Sequence, residues 1–147
     1  MATILQSEYA LRTKAVPQAF TSGAVVAVTA TVTIPAGTTV ATTDVIEFAV
    51  LPADHRIVDA AIVEVSGFTT ETADIGIMTG EVGDDVSVRT SDDSIFDGVA
   101  LTGFARLTSG EAMTIATDDV DRSIGLKFSA EVVGAGQKVS VQFLLTQ

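Results

Sequence analysis

His55 is the only histidine in this 147-residue chain, so any imidazole chemistry has to pass through it. It stands in Pro52-Ala53-Asp54-His55-Arg56, a run of turn-forming residues, and no Gly-x-Ser-x-Gly nucleophile motif accompanies it. The expectation is a solvated turn histidine with no catalytic part. A zinc site would need several further nitrogen or sulfur ligands, and the chain contains no cysteine. Disulfides and thiol nucleophiles are excluded for the same reason, and the redox compartment is left open. Carboxylates are plentiful, and two of them suitably spaced could do acid–base work on a glycoside. They cluster, however, in stretches that read as loops: Glu71, Asp74, Glu81, Asp84, Asp85, Asp92, Asp93 and Asp97. Aromatic residues make up only 5% of the chain and tryptophan is missing, so there is little to form a sugar platform. A solvated acidic surface is expected.

Asp118-Asp119-Val120-Asp121-Arg122-Ser123 offers alternating oxygen ligands at Asp119, Asp121 and Ser123, the kind of donors a hard cation takes. The spacing departs from an EF-hand: Gly125 comes one position late, and Ala130 stands where a bidentate glutamate belongs. With Arg122 inside the run, a turn salt bridge is the more economical reading, and no metal or other cofactor is assigned. Gly134-x-Gly136 lacks the third glycine of a dinucleotide loop and opens a strand rather than a helix. Against 19 acidic residues there are 8 basic ones, a net charge of −11, with no Lys/Arg cluster. A phosphate backbone would be repelled, so nucleic acid is not an expected partner. No asparagine is present, which excludes N-linked glycosylation.

The elements that position these groups follow from period-two alternation, which recurs from end to end. In Ala24–Ile34 one face carries Val26, Val28, Ala30, Val32 and Ile34, and the other Ala27, Thr29, Thr31 and Thr33. β-Branched side chains suit a pleated surface, so this is a strand. Asp44–Leu51 follows, with Ile46, Phe48 and Val50 on one side, and then Arg56–Val65, where five β-branched residues in ten favour a strand over a helix. Short strands are expected at Asp74–Thr79, Asp85–Thr90, Phe104–Thr108 and Glu111–Ala116, with Ser91–Thr102 as a long connection. Ser123–Val132 and Val139–Thr146 alternate most cleanly. The intervening Gly134-Ala135-Gly136 predicts a hairpin.

With 47% hydrophobic residues, the chain is long enough to bury a real core as one domain. The expected fold is all-β, an antiparallel β-sandwich or jelly-roll-like barrel over residues 21–147, with an extended N-terminal arm at 1–20. That first segment holds the only tyrosine, Tyr9, and reads either as an arm or as a frayed terminus. It carries Glu8, Arg12 and Lys14 and lacks the apolar run of a secretory signal. The uncharged run 15–43 is broken by Pro17, Gly23, Pro35 and Gly37, so no membrane span is expected.

Several motifs in order resemble small virion structural proteins of tailed bacteriophages, in particular capsid decoration (cement) proteins. They are Asp44-Val45-Ile46-Glu47-Phe48-Ala49-Val50-Leu51-Pro52-Ala53, Arg56-Ile57-Val58-Asp59-Ala60, Ala73-Asp74-Ile75-Gly76-Ile77, the Asp92–Gly98 stretch, Asp119-Val120-Asp121-Arg122-Ser123-Ile124-Gly125-Leu126-Lys127 and the closing Val139–Leu145. The resemblance spans about residues 24–147. It implies a non-enzymatic protein, assembled in the host cytoplasm, that binds the outer surface of a head. Its partner would be the major capsid protein and its own state a homotrimer. The N-terminal arm would then reach a neighbour through Ile4, Leu5, Tyr9, Leu11 and Phe20. A strongly acidic chain suits the outer surface better than the inner one, where packaged DNA would repel it. The other readings are a head–tail or fibre component and a carbohydrate-binding β-sandwich module.

Overall fold

The computed structural model describes residues 4–7, 9–11, 13–15, 24–108 and 110–147. In chain order the strands are β1 (Ile4–Gln6), β2 (Val25–Thr33), β3 (Thr39–Val40), β4 (Val45–Leu51), β5 (Arg56–Ser66) and β6 (Thr72–Ile77), followed by β7 (Phe96–Ala100), β8 (Ala105–Arg106), β9 (Arg122–Phe128), β10 (Val132–Val133) and β11 (Lys138–Thr146). One sheet runs β1-β4-β9-β6-β7 and the other β2-β11-β5-β8, with β10 and β3 forming a separate ribbon. Among the described residues every pairing is antiparallel except β1 on β4, which is parallel. The fold is the expected all-β sandwich.

The alternation of valine and threonine in β2 works as anticipated. Val28, Ala30 and Val32 are buried, while Ala27, Thr29, Thr31 and Thr33 are exposed. Val139, Val141, Phe143 and Leu145 of β11 meet them from the next strand over. The Phe48 ring of the five-stranded sheet lies 5.9 Å, centroid to centroid, from the Phe143 ring of the four-stranded one, so this pair bridges the two layers.

β4 departs from a one-faced strand. All seven of its residues are buried, including those opposite Ile46, Phe48 and Val50. The second cover comes from residues 78–95, which fold across the outer face of the five-stranded sheet. Gly76 and Gly125 pair with one another in that sheet. A Cβ on Gly76 would collide with Asp92, and one on Gly125 would sit 2.5 Å from Met78 Cγ and 2.8 Å from Ser91 Oγ. The two glycines therefore make a shallow channel, Gly76 for Asp92 and Gly125 for the Met78 and Ser91 side chains. Asp92 is held there: its N–H donates to the Ile77 carbonyl, and its carboxylate accepts from the Ile77 N–H at 2.7 Å.

Four expected elements differ. Asp85–Thr90 holds a turn at 87–88 rather than a strand, because Arg89 turns its side chain inward and its N–H closes on the Val86 carbonyl at 3.2 Å. Within the expected connection Ser91–Thr102 lies β7, hidden in the sequence by Asp97 and by Gly98 at φ +58°, which interrupt the alternation. Glu111–Thr114 is a turn of 3-10 helix whose Ala112 is buried, not the start of a strand. The Gly134–Gly136 loop does not close a hairpin: β10 pairs with β3, and β11 lies in the other sheet between β2 and β5. Its backbone bonds instead to the Ile34–Thr38 bend, with Gly134 N–H to the Thr38 carbonyl at 2.6 Å and Gly136 N–H to the Ile34 carbonyl at 3.0 Å.

Candidate functional site

The densest polar cluster is built on Glu47, a carboxylate in the middle of an otherwise apolar strand. Its side chain and that of Arg89 are 0% and 1% exposed, and the two form an ion pair at 2.9 Å. Oε1 also accepts from the Gly83 N–H at 3.0 Å and from the Ser123 hydroxyl. Oε2 accepts from the Gln6 amide at 2.6 Å. Arg89 spends its remaining donors on the Thr79 and Asp84 carbonyls, each at 2.8 Å, and on Ser123 Oγ at 2.8 Å. Burial by itself raises the Glu47 carboxyl. The hydrogen bonds from Arg89, Ser123, Gly83 and Gln6 outweigh it and hold the group below its ordinary value. The carboxylate thus accepts four hydrogen bonds, from Arg89, Gly83, Ser123 and Gln6, with its side chain out of reach of solvent. It ties β1, β4, β9 and the 79–91 loop into one unit.

His55 is a correction to the sequence reading. It is 3% exposed rather than solvated, with Nδ1 2.7 Å from the Ala53 carbonyl. The 118–121 loop folds over its turn: Asp54 N–H donates to the Asp118 carbonyl at 2.7 Å, and Ala53 N–H to Asp121 Oδ1 at 2.9 Å. Asp54 takes the left-handed conformation, φ +59°, which aspartate tolerates. Asp119, Asp121 and Ser123 do not converge on a cation. Ser123 points into the Glu47 cluster and Asp121 caps the 52–55 turn. Arg122 Nη2 reaches the Ala116 carbonyl at 2.7 Å. Among the described residues no group of three potential metal ligands is assembled. The acidic side chains Glu81, Asp84, Asp85, Asp93 and Asp97 are exposed, as expected of a solvated surface.

The N-terminal residues singled out from the sequence lie as follows. Ile4 and Leu5 belong to β1, in register with Val45 and Ile46. Tyr9 is buried in the core, with the Lys14 ammonium 5.0 Å from its ring centroid. Leu11 is exposed, and Phe20 lies outside the described residues. Sequence reasoning missed Glu47 and Arg89 as a pair. A carboxylate inside Val45–Leu51 was the available signal, since lone carboxylates rarely sit among apolar residues without a partner. The identity of that partner, 42 residues away, has no local trace.

Two packed sheets joined through the Phe48 and Phe143 rings define an all-β sandwich protein. The chain is similar over 98% of its length to a chain in the capsid of Ralstonia phage GP4, of which it covers 97%, at 26% identity and a TM-score of 0.80. A chain of the cyanophage Pam1 capsid asymmetric unit matches at 16% identity and a TM-score of 0.56, covering 90% of this chain and 91% of that one. One from the acid-stable capsid of Helicobacter pylori bacteriophage KHP30 matches at 11% identity and a TM-score of 0.50, over 86% and 90%. The latter two share the fold. No protein-family model matches the sequence, and no curated protein does. The structural neighbours are phage capsid chains, and they support a phage virion structural protein.

Proposed function

We propose that this chain is a non-enzymatic decoration protein that binds the outer surface of a phage head and stabilises it, with the major capsid protein as partner and a homotrimer as the working unit. The observation that carries the reading is the end-to-end match to a chain of the GP4 capsid, in which almost nothing of either chain is left over. A net charge of −11 favours the outer surface over the DNA-facing one. The N-terminal segment, residues 1–20, ahead of the single β domain at 21–147, is the part expected to supply contacts to a neighbour; of Ile4, Leu5, Tyr9, Leu11 and Phe20, Tyr9 is buried in this chain's own core and Ile4 and Leu5 lie in β1, so the outward contact falls to Leu11 and Phe20. The exposed Leu11 supports part of that assignment. Several small contacts per trimer would act together and exceed any one of them in strength. The experiment mixes purified protein with expanded, undecorated heads. Saturable binding and greater heat resistance of the particles are expected. A chain that leaves the heads unbound and stays monomeric defeats the reading.

A further inference from the structure

The two outer sheet faces are unlike. That of the five-stranded sheet is roofed by residues 78–95, as described above. That of the four-stranded sheet has no such roof among the described residues, with Ser7, Tyr9 and Lys14 lining a hollow beside Thr29 and Thr31 at its β2 margin; its rows are set by the register Ala27–Leu144–Asp59, Thr29–Gln142–Ala61 and Thr31–Ser140–Glu64. The side chains are mostly small, hydroxylic or apolar. Phe104, immediately before β8 at the rim of this sheet, is 73% exposed. Charges on this face nearly cancel. Arg56, Arg106 and Lys138 stand against Asp59 and Glu64, with Arg106 paired to Asp59 and Lys138 to Glu64. The acidic excess of the molecule lies elsewhere.

We infer that the outer face of the β2-β11-β5-β8 sheet is the surface on which a second copy of this chain docks, with Phe104 as its apolar anchor. The inference rests on the homo-oligomeric part of the reading above. Two copies that each carry −11 repel one another through any acidic surface, so contact costs least where one side is neutral. Phe104 and the arginines are of the residue types enriched at interfaces, and two of the cations on this face are already paired, Arg106 with Asp59 and Lys138 with Glu64. β2 and β11 with nine residues each, β5 with eleven and the two-residue β8 give, at about 3.4 Å per residue and about 4.8 Å between strands, roughly 500 Å² of face, more than half of the roughly 800 Å² each partner contributes to a stable contact. β2 forms one border of this face and has no charged residue in its nine positions, and the charged side chain that lines the hollow beside Thr29 and Thr31 is Lys14, whose sign suits an acidic second copy.

The test measures the solution mass of the full-length chain by sedimentation from about 1 to 100 µM, beside the variants Phe104→Ala, Thr29→Glu/Phe104→Glu and, as a control, Val88→Glu, which alters a loop side chain 82% exposed on the other sheet's side. The wild type and control are expected to share one oligomeric mass. Phe104→Ala should dissociate at concentrations at least tenfold higher than the wild type, and the double variant should stay at 15.1 kDa. Phe104→Ala keeps the test valid if the double variant does not fold. Raising salt should tighten the wild-type oligomer by screening the acidic repulsion. The inference is overturned if the wild type is monomeric throughout, or if the variants keep the wild-type mass. Binding to undecorated heads is scored separately. A variant that keeps its mass but no longer binds heads would place the shell, not a second copy, on this face, and leave the decoration reading standing.

Discussion

Glu47 and Arg89 show how one buried pair can organise a surface loop. Desolvating two charges is costly, and the cost is offset only when every donor and acceptor is satisfied. Here each group is bonded to several others, so removing one leaves the other stranded. Glu47→Gln should lower stability by about 3 to 5 kcal/mol, read as a shift in the urea midpoint at pH 7. The pH dependence has a definite sign. Because the folded carboxyl sits below its ordinary value, its contribution is complete above that ordinary value and disappears as pH falls through the folded one. The wild type should therefore lose stability on the acid side, and Glu47→Gln should flatten that limb. Asp59 beside Arg106, Glu64 beside Lys138 and Glu71 on the Thr69 and Thr70 N–H groups are lowered as well. They are more open to solvent, so the slope left in the variant should shrink in high salt. His55 carries a related lesson at this scale. Turn-forming neighbours predict exposure, but a second loop laid over a turn buries it.

Among the elements, the strands with strict alternation were readable and their partners were not. β2, β4, β5 and β11 lie where the pattern of branched and apolar side chains put them. The Gly134–Gly136 loop failed as a hairpin because alternation reports which face is buried, while pairing depends on distant edges. Glycines sort into two kinds of cost. A Cβ on Gly134 would collide with the Pro35 carbonyl and lie 2.8 Å from the Thr38 carbonyl, both backbone. Gly134→Ala should cost about 2 to 3 kcal/mol, and Gly125→Ala about 1 to 2 kcal/mol, since the atoms it meets, Met78 Cγ and the Ser91 side chain, are side-chain atoms that can shift in part. Thermal unfolding of the two variants side by side checks the order, and equal shifts would contradict it. Phe143→Ala removes the ring that joins the layers and should cost about 3 to 5 kcal/mol by urea titration.

At the scale of the whole molecule, the fold is woven from distant pairings. β2 meets β11 across more than a hundred residues, with Thr33 opposite Lys138 and Val25 opposite Thr146. Chains of this kind fold slowly, because loop closure must precede the contacts that reward it. Refolding by stopped flow is expected on the millisecond to second timescale, and a microsecond phase carrying the full amplitude would contradict it. From the sequence alone came the all-β class, the faces of the regular strands, the acidic loops and the likeness to virion proteins, since periodicity, charge and residue order are local or additive properties. Only the tertiary structure decided that residues 78–95 roof one sheet, that Glu47 finds Arg89, that His55 is buried, and that the charges on the other sheet's outer face nearly cancel. Each of these depends on which remote segments come into contact, and short-range pattern carries no record of that.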